Sequence, residues 1–116
     1  MITIIAGSRN VTEEQFRTAI TSLPWKVTRV VSGTARGVDT FGEGWAKHQG
    51  LPVDRYPADW DTHGKSAGYK RNILMAENAE ALFAIWDGES RGTKHMIDIA
   101  TAKGLVVRVV NLKEDT

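Results

Sequence analysis

The sequence predicts an α/β fold: a Rossmann-like, doubly wound, mainly parallel sheet of about five strands with helices on both faces. Apolar runs of strand length alternate with segments whose apolar residues recur at helical spacing, and this alternation is typical of such sheets. The strand candidates are continuously apolar, as expected when a parallel sheet is covered on both faces. A chain of 116 residues suits one such core. We therefore expect a single domain over residues 1–112 and a flexible tail at 113–116.

The amino-terminal elements have clear boundaries. The first strand candidate is MITIIA, and a glycine ends it. Thr12, followed three residues later by Gln15, predicts a capping box at the start of a helix that Pro24 ends. The short apolar run RVVS is the second strand, and the next helix runs from about Val38 to Gly50.

The later elements follow the same pattern after a polar loop at 58–64. Helical spacing predicts that Tyr69, Ile73 and Ala76 are buried by one helix. Phe83 is expected in the core of the apolar strand that follows. In chain order, the sequence predicts strands at about 1–6, 29–32, 51–56, 81–86 and 105–112, and helices at about 12–24, 38–50, 66–78 and 92–103.

Composition and charge exclude several classes of protein. Apolar residues make up 41% and charged residues 25% of the chain, which is typical of a globular rather than a disordered protein. The net charge of +1 gives no field that would recruit nucleic acid or an anionic membrane. There is no cysteine for disulfide or thiolate chemistry, and no apolar run long enough for a signal peptide or a membrane span. We expect a soluble, cytoplasmic protein without a membrane partner.

No metal site and no cofactor are predicted. His48, His63 and His95 are scattered without the spacing of metal ligands. The run Asp59-x-Asp61-x-His63 superficially resembles a metal site, but alternating residues in a loop are a poor template for zinc.

Three loops at one edge of the sheet combine glycine, hydroxyl and arginine residues. They are 7–9 after the first strand, 32–37 after the second and 88–93 after the fourth. Glycine lets the backbone approach a ligand, helix starts attract anions, and arginine matches phosphate with a planar fork. Neither G-x-G-x-x-G nor a P-loop is present, which argues against a dehydrogenase or an ordinary NTPase. The loops predict a pocket for a phosphorylated, nucleotide-like ligand at the carboxyl ends of the strands.

Most candidate residues have both a functional and a structural interpretation. Gly92 and Thr93 present N–H groups to a phosphate or simply start a helix, while Arg36 and Arg91 hold phosphate or are solvated. Asp39 accepts a ribose hydroxyl or complements the dipole of the second helix. In the polar loop, Trp60 stacks on a base or folds back on the core. The candidate ligand residues are Gly7, Ser8, Arg9, Ser32, Gly33, Arg36, Gly37, Asp39, Gly88, Ser90, Arg91, Gly92 and Thr93.

Short motifs along the chain contain these residues. They are Gly7-Ser8-Arg9, Ser32-Gly33-x-Ala35-Arg36-Gly37-x-Asp39, Ala58-Asp59-Trp60, Gly64-Lys65-x-Ala67-Gly68, Arg71-Asn72-x-x-Met75 and Trp86-Asp87-Gly88-x-Ser90-Arg91-Gly92-Thr93-Lys94. Together, and in this order from residue 1 to about 110, they resemble the YspA/cpYpsA-related branch of the SLOG superfamily. The resemblance implies a Rossmann-like fold that binds nucleotides or signals derived from them.

The superfamily includes the LOG-type phosphoribohydrolases, which cleave the N-glycosidic bond of nucleoside 5′-monophosphates. The resemblance makes Arg71 the counterpart of their substrate-binding and catalytic arginine. Met96 stands where they have a catalytic glutamate, and a thioether cannot position water or stabilise an oxocarbenium-like centre. Asp98 lies two residues after Met96, about 200° around an ideal helix, so its carboxylate would not face the same pocket. The loop residues Asp87 and Glu89 are the remaining candidates for a carboxylate.

The sequence therefore predicts a module that binds a nucleotide or nucleotide-derived ligand of unknown identity, as a sensor or by sequestering it. A LOG-like phosphoribohydrolase is the first alternative. The second is a DprA-like binder of single-stranded DNA, against which the lack of a basic run counts. The resemblance also implies a homodimer, and a domain without an effector module would act through a protein partner.

Overall fold

Within residues 1–113, which a computed structural model describes, five strands form one parallel sheet. The strands are β1 (Ile2–Gly7), β2 (Arg29–Ser32), β3 (Val53–Arg55), β4 (Ala81–Trp86) and β5 (Val106–Asn111). The helices are α1 (Glu13–Ile20), α2 (Val38–His48), α3 (Trp60–His63), α4 (Ala67–Glu77) and α5 (Arg91–Ala102), with a 3₁₀ turn at Gly64–Ser66. The sheet order is β3-β2-β1-β4-β5, which confirms the predicted doubly wound α/β fold.

Alternate residues of β1 point to opposite faces of the sheet and begin two apolar cores. Ile5 belongs to the core that contains Phe16 of α1 and Val38 of α2. Ile4 belongs to the core on the other face, with Met75 of α4 and residues of α5. Because helices cover both faces, the central strands are apolar without interruption.

The carboxyl ends of β1 and β4 lie side by side at the point where the strand order reverses. Gly7 is paired with Ile85 in the ladder, and the Ser8 N–H donates to the Ile85 carbonyl at 3.1 Å. A Cβ at Gly7 would lie 2.2 Å from that carbonyl oxygen and 2.6 Å from Val38 Cγ2. The glycine thus allows the loop after β1 to pass between β4 and α2.

Local signals in the sequence correctly predict the start of α1. Thr12 Oγ1 accepts from the Gln15 N–H at 3.1 Å, and Gln15 Oε1 accepts from the Thr12 N–H at 2.9 Å. The predicted capping box is therefore confirmed. The polar loop at 58–64, by contrast, contains the one-turn helix α3, whose Thr62 N–H donates to Asp59 Oδ1 at 3.1 Å.

For two residues of α4, the prediction of burial in the core is wrong. Tyr69 is 44% exposed and Ile73 is 37% exposed, whereas Phe83 and Ala76 are buried as expected. Met75 and Ala76 pack in the core beside α5, whereas Tyr69, one turn or more earlier in α4, packs against His95 of α5, and Ile73 stays partly exposed.

The predicted tail at 113–116 falls almost entirely outside the described residues. Lys113 lies in a turn, and residues 114–116 are beyond the part of the chain that the structure describes. Over residues 1–113, no helix combines the length and the apolar character that a membrane span requires.

Candidate functional site

A cavity of about 520 Å³ opens where β1 and β4 end. Its walls come from the loop after β1, the start of α2, the segment from α3 through α4, and the loop that leads from β4 into α5. Of the residues predicted from the sequence, those that line it are Gly7, Arg9, Asp39, Arg71, Ser90, Gly92 and Thr93. These residues are separated by up to eighty-six positions in the chain, and the doubly wound sheet brings them to one edge.

The other predicted residues do not line the cavity. Arg36 and Arg91 are exposed outside its walls. Gly37 has a φ of +76°, and a Cβ there would lie 2.7 Å from the Ser8 carbonyl oxygen, so its role in the fold is to bring the two loops together. The residues that do not line the cavity are Ser8, Ser32, Gly33, Arg36, Gly37, Gly88 and Arg91.

The two predicted serines outside the lining join loops to each other. Ser8 is buried, and its Oγ accepts from the Asp87 N–H at 3.1 Å, which ties the β1 loop to the β4 loop. Ser32 is buried as well and donates to Glu43 Oε2 at 2.6 Å while accepting from the Thr34 N–H at 3.1 Å. These hydroxyls therefore shape the loops around the cavity.

Asp39 and Arg71 are oppositely charged residues that both line the cavity and act on each other's pKa. Asp39 is only 6% exposed, and its Oδ2 accepts from the Ala35 N–H at 3.1 Å. Burial raises the pKa of Asp39 to about 6, although that hydrogen bond and the charge of Arg71 act in the opposite direction. Arg71 Nη1 donates to the Gly33 carbonyl. Burial lowers the pKa of the Arg71 guanidinium and Asp39 acts to raise it, yet an arginine stays charged at neutral pH.

The start of α5 presents backbone donors to the same space. Among the described residues no side chain caps the first turn of α5, which leaves its first N–H groups free to meet a ligand. Asp87 holds the preceding loop by accepting from the Ser90 N–H at 2.7 Å and the Glu89 N–H at 2.9 Å. Burial acts to raise the pKa of Asp87, but these N–H groups together with hydrogen bonds from the Ser8 and Asn10 side chains outweigh it, and the pKa lies below its usual value.

Two aromatic side chains form the outer wall. Trp60 is 53% exposed, and its Cη2 would lie 3.6 Å from a Cβ at Gly68, so the indole extends over the start of α4. Tyr69 stands on α4 against His95, with 4.5 Å between the ring centroids. Of the two sequence interpretations of Trp60, the structure places the indole at the cavity rather than in the core.

Sequence reasoning did not assign a ligand role to several lining residues. Asn10 continues the Gly7-Ser8-Arg9 loop, and Asn72 follows Arg71 within a shared motif, so both had a signal in their neighbours. No such signal marks Tyr69, because its helical spacing from Ile73 and Ala76 is typical of a core residue. The residues with polar side chains missed in this way are Asn10, Lys65, Tyr69 and Asn72.

The carboxylates of the cavity differ from those expected of a LOG-type enzyme. Met96 is 1% exposed and lines the floor where that motif has a glutamate. Of the two loop carboxylates considered, Asp87 lines the cavity, whereas Glu89 lies outside it and is paired with Lys113 at 3.1 Å. Asp39 is the second carboxylate in the lining.

No cluster of three His, Cys, Asp or Glu side chains suited to a metal ion occurs in residues 1–113. Asp59, Asp61 and His63 all lie on or beside α3. Asp59 is engaged as the cap of that helix.

Comparison with known proteins places the chain in a family. The chain is 39% identical over 84 residues to the Gene 61 protein of Mycobacterium phage D29, and the match covers 67% of each chain. No solved structure matches. A family model for the YspA, cpYpsA-related SLOG family matches residues 1–63, which include Gly7, Arg9, Asp39 and Trp60. The protein thus belongs to the YspA/cpYpsA-related SLOG family.

Proposed function

We propose that the cavity binds a nucleotide or nucleotide-derived ligand, and that the protein senses or sequesters it. Membership of the SLOG family is consistent with such a ligand. The observation that carries the proposal is that groups suited to phosphate and an exposed indole line one cavity. A volume of about 520 Å³ lies within the range of small-molecule sites.

The charges favour an anionic group at the inner end of the cavity. Arg9, Lys65 and Arg71 line it together with Gly92 and Thr93 at the start of α5. A guanidinium fork and free helix N–H groups are both suited to phosphate. The phosphate would lie between Arg71 and the first turn of α5.

The aromatic wall favours a base at the outer end. Trp60 is exposed and yet lies at the cavity, where its indole offers a stacking surface. In this arrangement the buried carboxyl of Asp39 would lie between the two ends and accept from a sugar hydroxyl.

Binding is tested by mass spectrometry on protein incubated with nucleoside monophosphates, NAD, ADP-ribose and cyclic nucleotides and then ultrafiltered. We expect one nucleotide to be retained intact, and to be lost in Arg71→Ala and weakened in Arg71→Lys, which keeps the charge but not the fork. Arg17→Ala is the matched control, because Arg17 is an exposed residue of α1 paired with Glu13. Release of every nucleotide by the unchanged protein would contradict the proposal.

A phosphoribohydrolase is the second candidate, and Asp39 is the observation that favours it. This carboxyl lines the cavity, and its pKa of about 6 would let it carry a proton to a leaving base near neutral pH. Hydrolysis would add water at the anomeric carbon and release the free base with that proton. Free base and ribose 5-phosphate in the filtrate, absent with Asp39→Asn, would make the protein an enzyme; intact nucleotide throughout would exclude this candidate for the panel.

A further inference from the structure

Asn72 is a buried amide at the junction of α4 and α5, with only 5% of its surface exposed. Its Oδ1 accepts from Arg71 Nε at 3.2 Å. Its Nδ2 lies 3.3 Å from the Gly92 carbonyl oxygen and 3.1 Å from His95 Nδ1. One side chain therefore joins the arginine of the cavity to the first turn of α5.

The partners of the amide decide which way it points. A guanidinium only donates, so the atom beside Arg71 Nε is the amide oxygen. A carbonyl only accepts, so the atom beside Gly92 is the amide nitrogen. His95 Nδ1 consequently faces a donor and has to accept, which leaves the imidazole neutral with its hydrogen on Nε2.

The surroundings of His95 favour the same state. Burial lowers the pKa of His95, and the charge of Asp98, one turn further along α5, acts to raise it. Asp98 is itself paired with Lys94 at 2.8 Å. From α4, the ring of Tyr69 lies against the imidazole.

We propose that Asn72 is a positioning residue that aligns Arg71 with the start of α5 while His95 is neutral, and that protonation of His95 releases this alignment and weakens ligand binding. A proton on Nδ1 would set two donors against each other, so the amide would have to turn away. With its oxygen turned to Nδ1, the amide would face Arg71 Nε with a donor and the Gly92 carbonyl with an acceptor, so both would lose their partner. The effect on affinity rests on the proposed nucleotide site. The chain of hydrogen bonds from Arg71 through Asn72 to His95, which we call the relay, does not.

The relay is tested without a ligand by ¹⁵N NMR of the histidine rings over a pH titration. We expect the Nε2–H tautomer for His95 in the unchanged protein. In Asn72→Asp an acceptor faces Nδ1, so the pKa of His95 should rise by about one pH unit or more. His48, which is exposed near the end of α2, is the internal reference and should not change. An Nδ1–H tautomer in the unchanged protein, or the same His95 pKa in both proteins, would overturn the proposal.

The effect on the cavity is tested by calorimetric titration with AMP from about pH 8 to about pH 5.5. His95→Asn is the informative variant, because its Oδ1 can accept from Asn72 and does not titrate. We expect AMP affinity to fall with pH about two- to fivefold further in the unchanged protein than in His95→Asn. Titration of Asp39 and of the AMP phosphate is common to both proteins and cancels in the comparison.

The two measurements separate the possible failures. An equal decline in both proteins would overturn the coupling to binding even if the NMR titration supports the relay. If the unchanged protein does not bind AMP, the proposed function fails for that nucleotide, and the NMR titration still decides whether Asn72 and His95 act together.

Discussion

The Asp39 carboxylate and the Arg71 guanidinium approach the same face of Gly33. A Cβ at Gly33 would lie 2.8 Å from Asp39 Oδ2 and 2.7 Å from Arg71 Nη1. The absence of a side chain there lets an acidic residue from α2 and a basic residue from α4 both approach the loop that follows β2. The backbone of that loop takes part too, since Ala35 N–H donates to Asp39 and the Gly33 carbonyl accepts from Arg71.

The buried carboxyl predicts an unusual dependence of stability on pH. Because the pKa of Asp39 is about 6 in the folded chain and about 3.8 when unfolded, the folded state binds the proton more readily. The cost of burying the charge is greatest above pH 6 and disappears as the pH falls towards 4, for a total of about 3 kcal/mol. We expect Asp39→Asn, which keeps an oxygen for the Ala35 N–H, to lack this dependence.

Urea unfolding of both proteins at a series of pH values measures the effect. The free energy of unfolding of Asp39→Asn minus that of the unchanged protein should be largest above pH 6 and should shrink towards pH 4. A difference that does not vary with pH would show that Asp39 titrates near its ordinary value.

Substitution of alanine for Gly7 and for Gly44 is predicted to change the stability of the fold in opposite directions. Gly7→Ala should lower the free energy of unfolding by about 3 kcal/mol or more, because its Cβ would lie 2.2 Å from the Ile85 carbonyl oxygen. Gly44 is exposed within α2, and a Cβ at that position would meet no neighbouring atom within 4 Å. Gly44→Ala should therefore raise stability by about 0.5–1 kcal/mol through helix propensity. Thermal unfolding compares the two, and similar effects would contradict the close packing of the β1 loop.

The indole at the cavity predicts a loss that depends on the presence of a base. Trp60→Ala should weaken binding of the retained nucleotide by about 1–3 kcal/mol, since stacking on an aromatic ring is lost. Binding of ribose 5-phosphate, which has no base, should change little. Calorimetric titration with the two ligands gives the comparison, and equal losses for both would assign Trp60 a role in holding α3 instead of stacking.

The buried hydroxyl of Ser32 holds the loop after β2, so its removal is predicted to weaken nucleotide binding. Ser32→Ala removes the partner of Glu43 and of the Thr34 N–H, and should cost about 1–3 kcal/mol of stability. The loop that carries the Gly33 carbonyl would loosen, so nucleotide affinity should fall as well. Ser22→Ala is the control, because Ser22 Oγ donates to the Ala19 carbonyl at the end of α1, away from the cavity. Stability and affinity are measured by urea unfolding and calorimetry; unchanged affinity in Ser32→Ala would limit that residue to the fold.

Features that depend on neighbouring residues could be predicted from the sequence. The capping box at Thr12 involves residues three positions apart, and the strands of the sheet are apolar without interruption. The loop at 7–9 is predicted to join the site because the carboxyl ends of parallel strands share an edge, and the fold does place Gly7 and Arg9 in the cavity wall.

Features that depend on distant partners could not be predicted. Ser32 was expected to contact a ligand, because nothing in the sequence shows that Glu43 would meet its hydroxyl. Tyr69 and Ile73 have the spacing of buried residues and share a helical face with the buried Ala76, but spacing alone does not say how far along α4 that face is covered. The short helix at Trp60 is only one turn long, too short for a periodic pattern.

The cavity wall crosses the boundary of the family match. Arg9 and Asp39 belong to residues 1–63, whereas Arg71 and Thr93 come from the rest of the chain. Within the sheet, β1 and β4 are the neighbouring strands that join these two parts. A bound ligand would therefore stabilise the middle of the sheet. Its binding should slow hydrogen exchange in β1 and β4 together, because residues from both parts of the chain contact it.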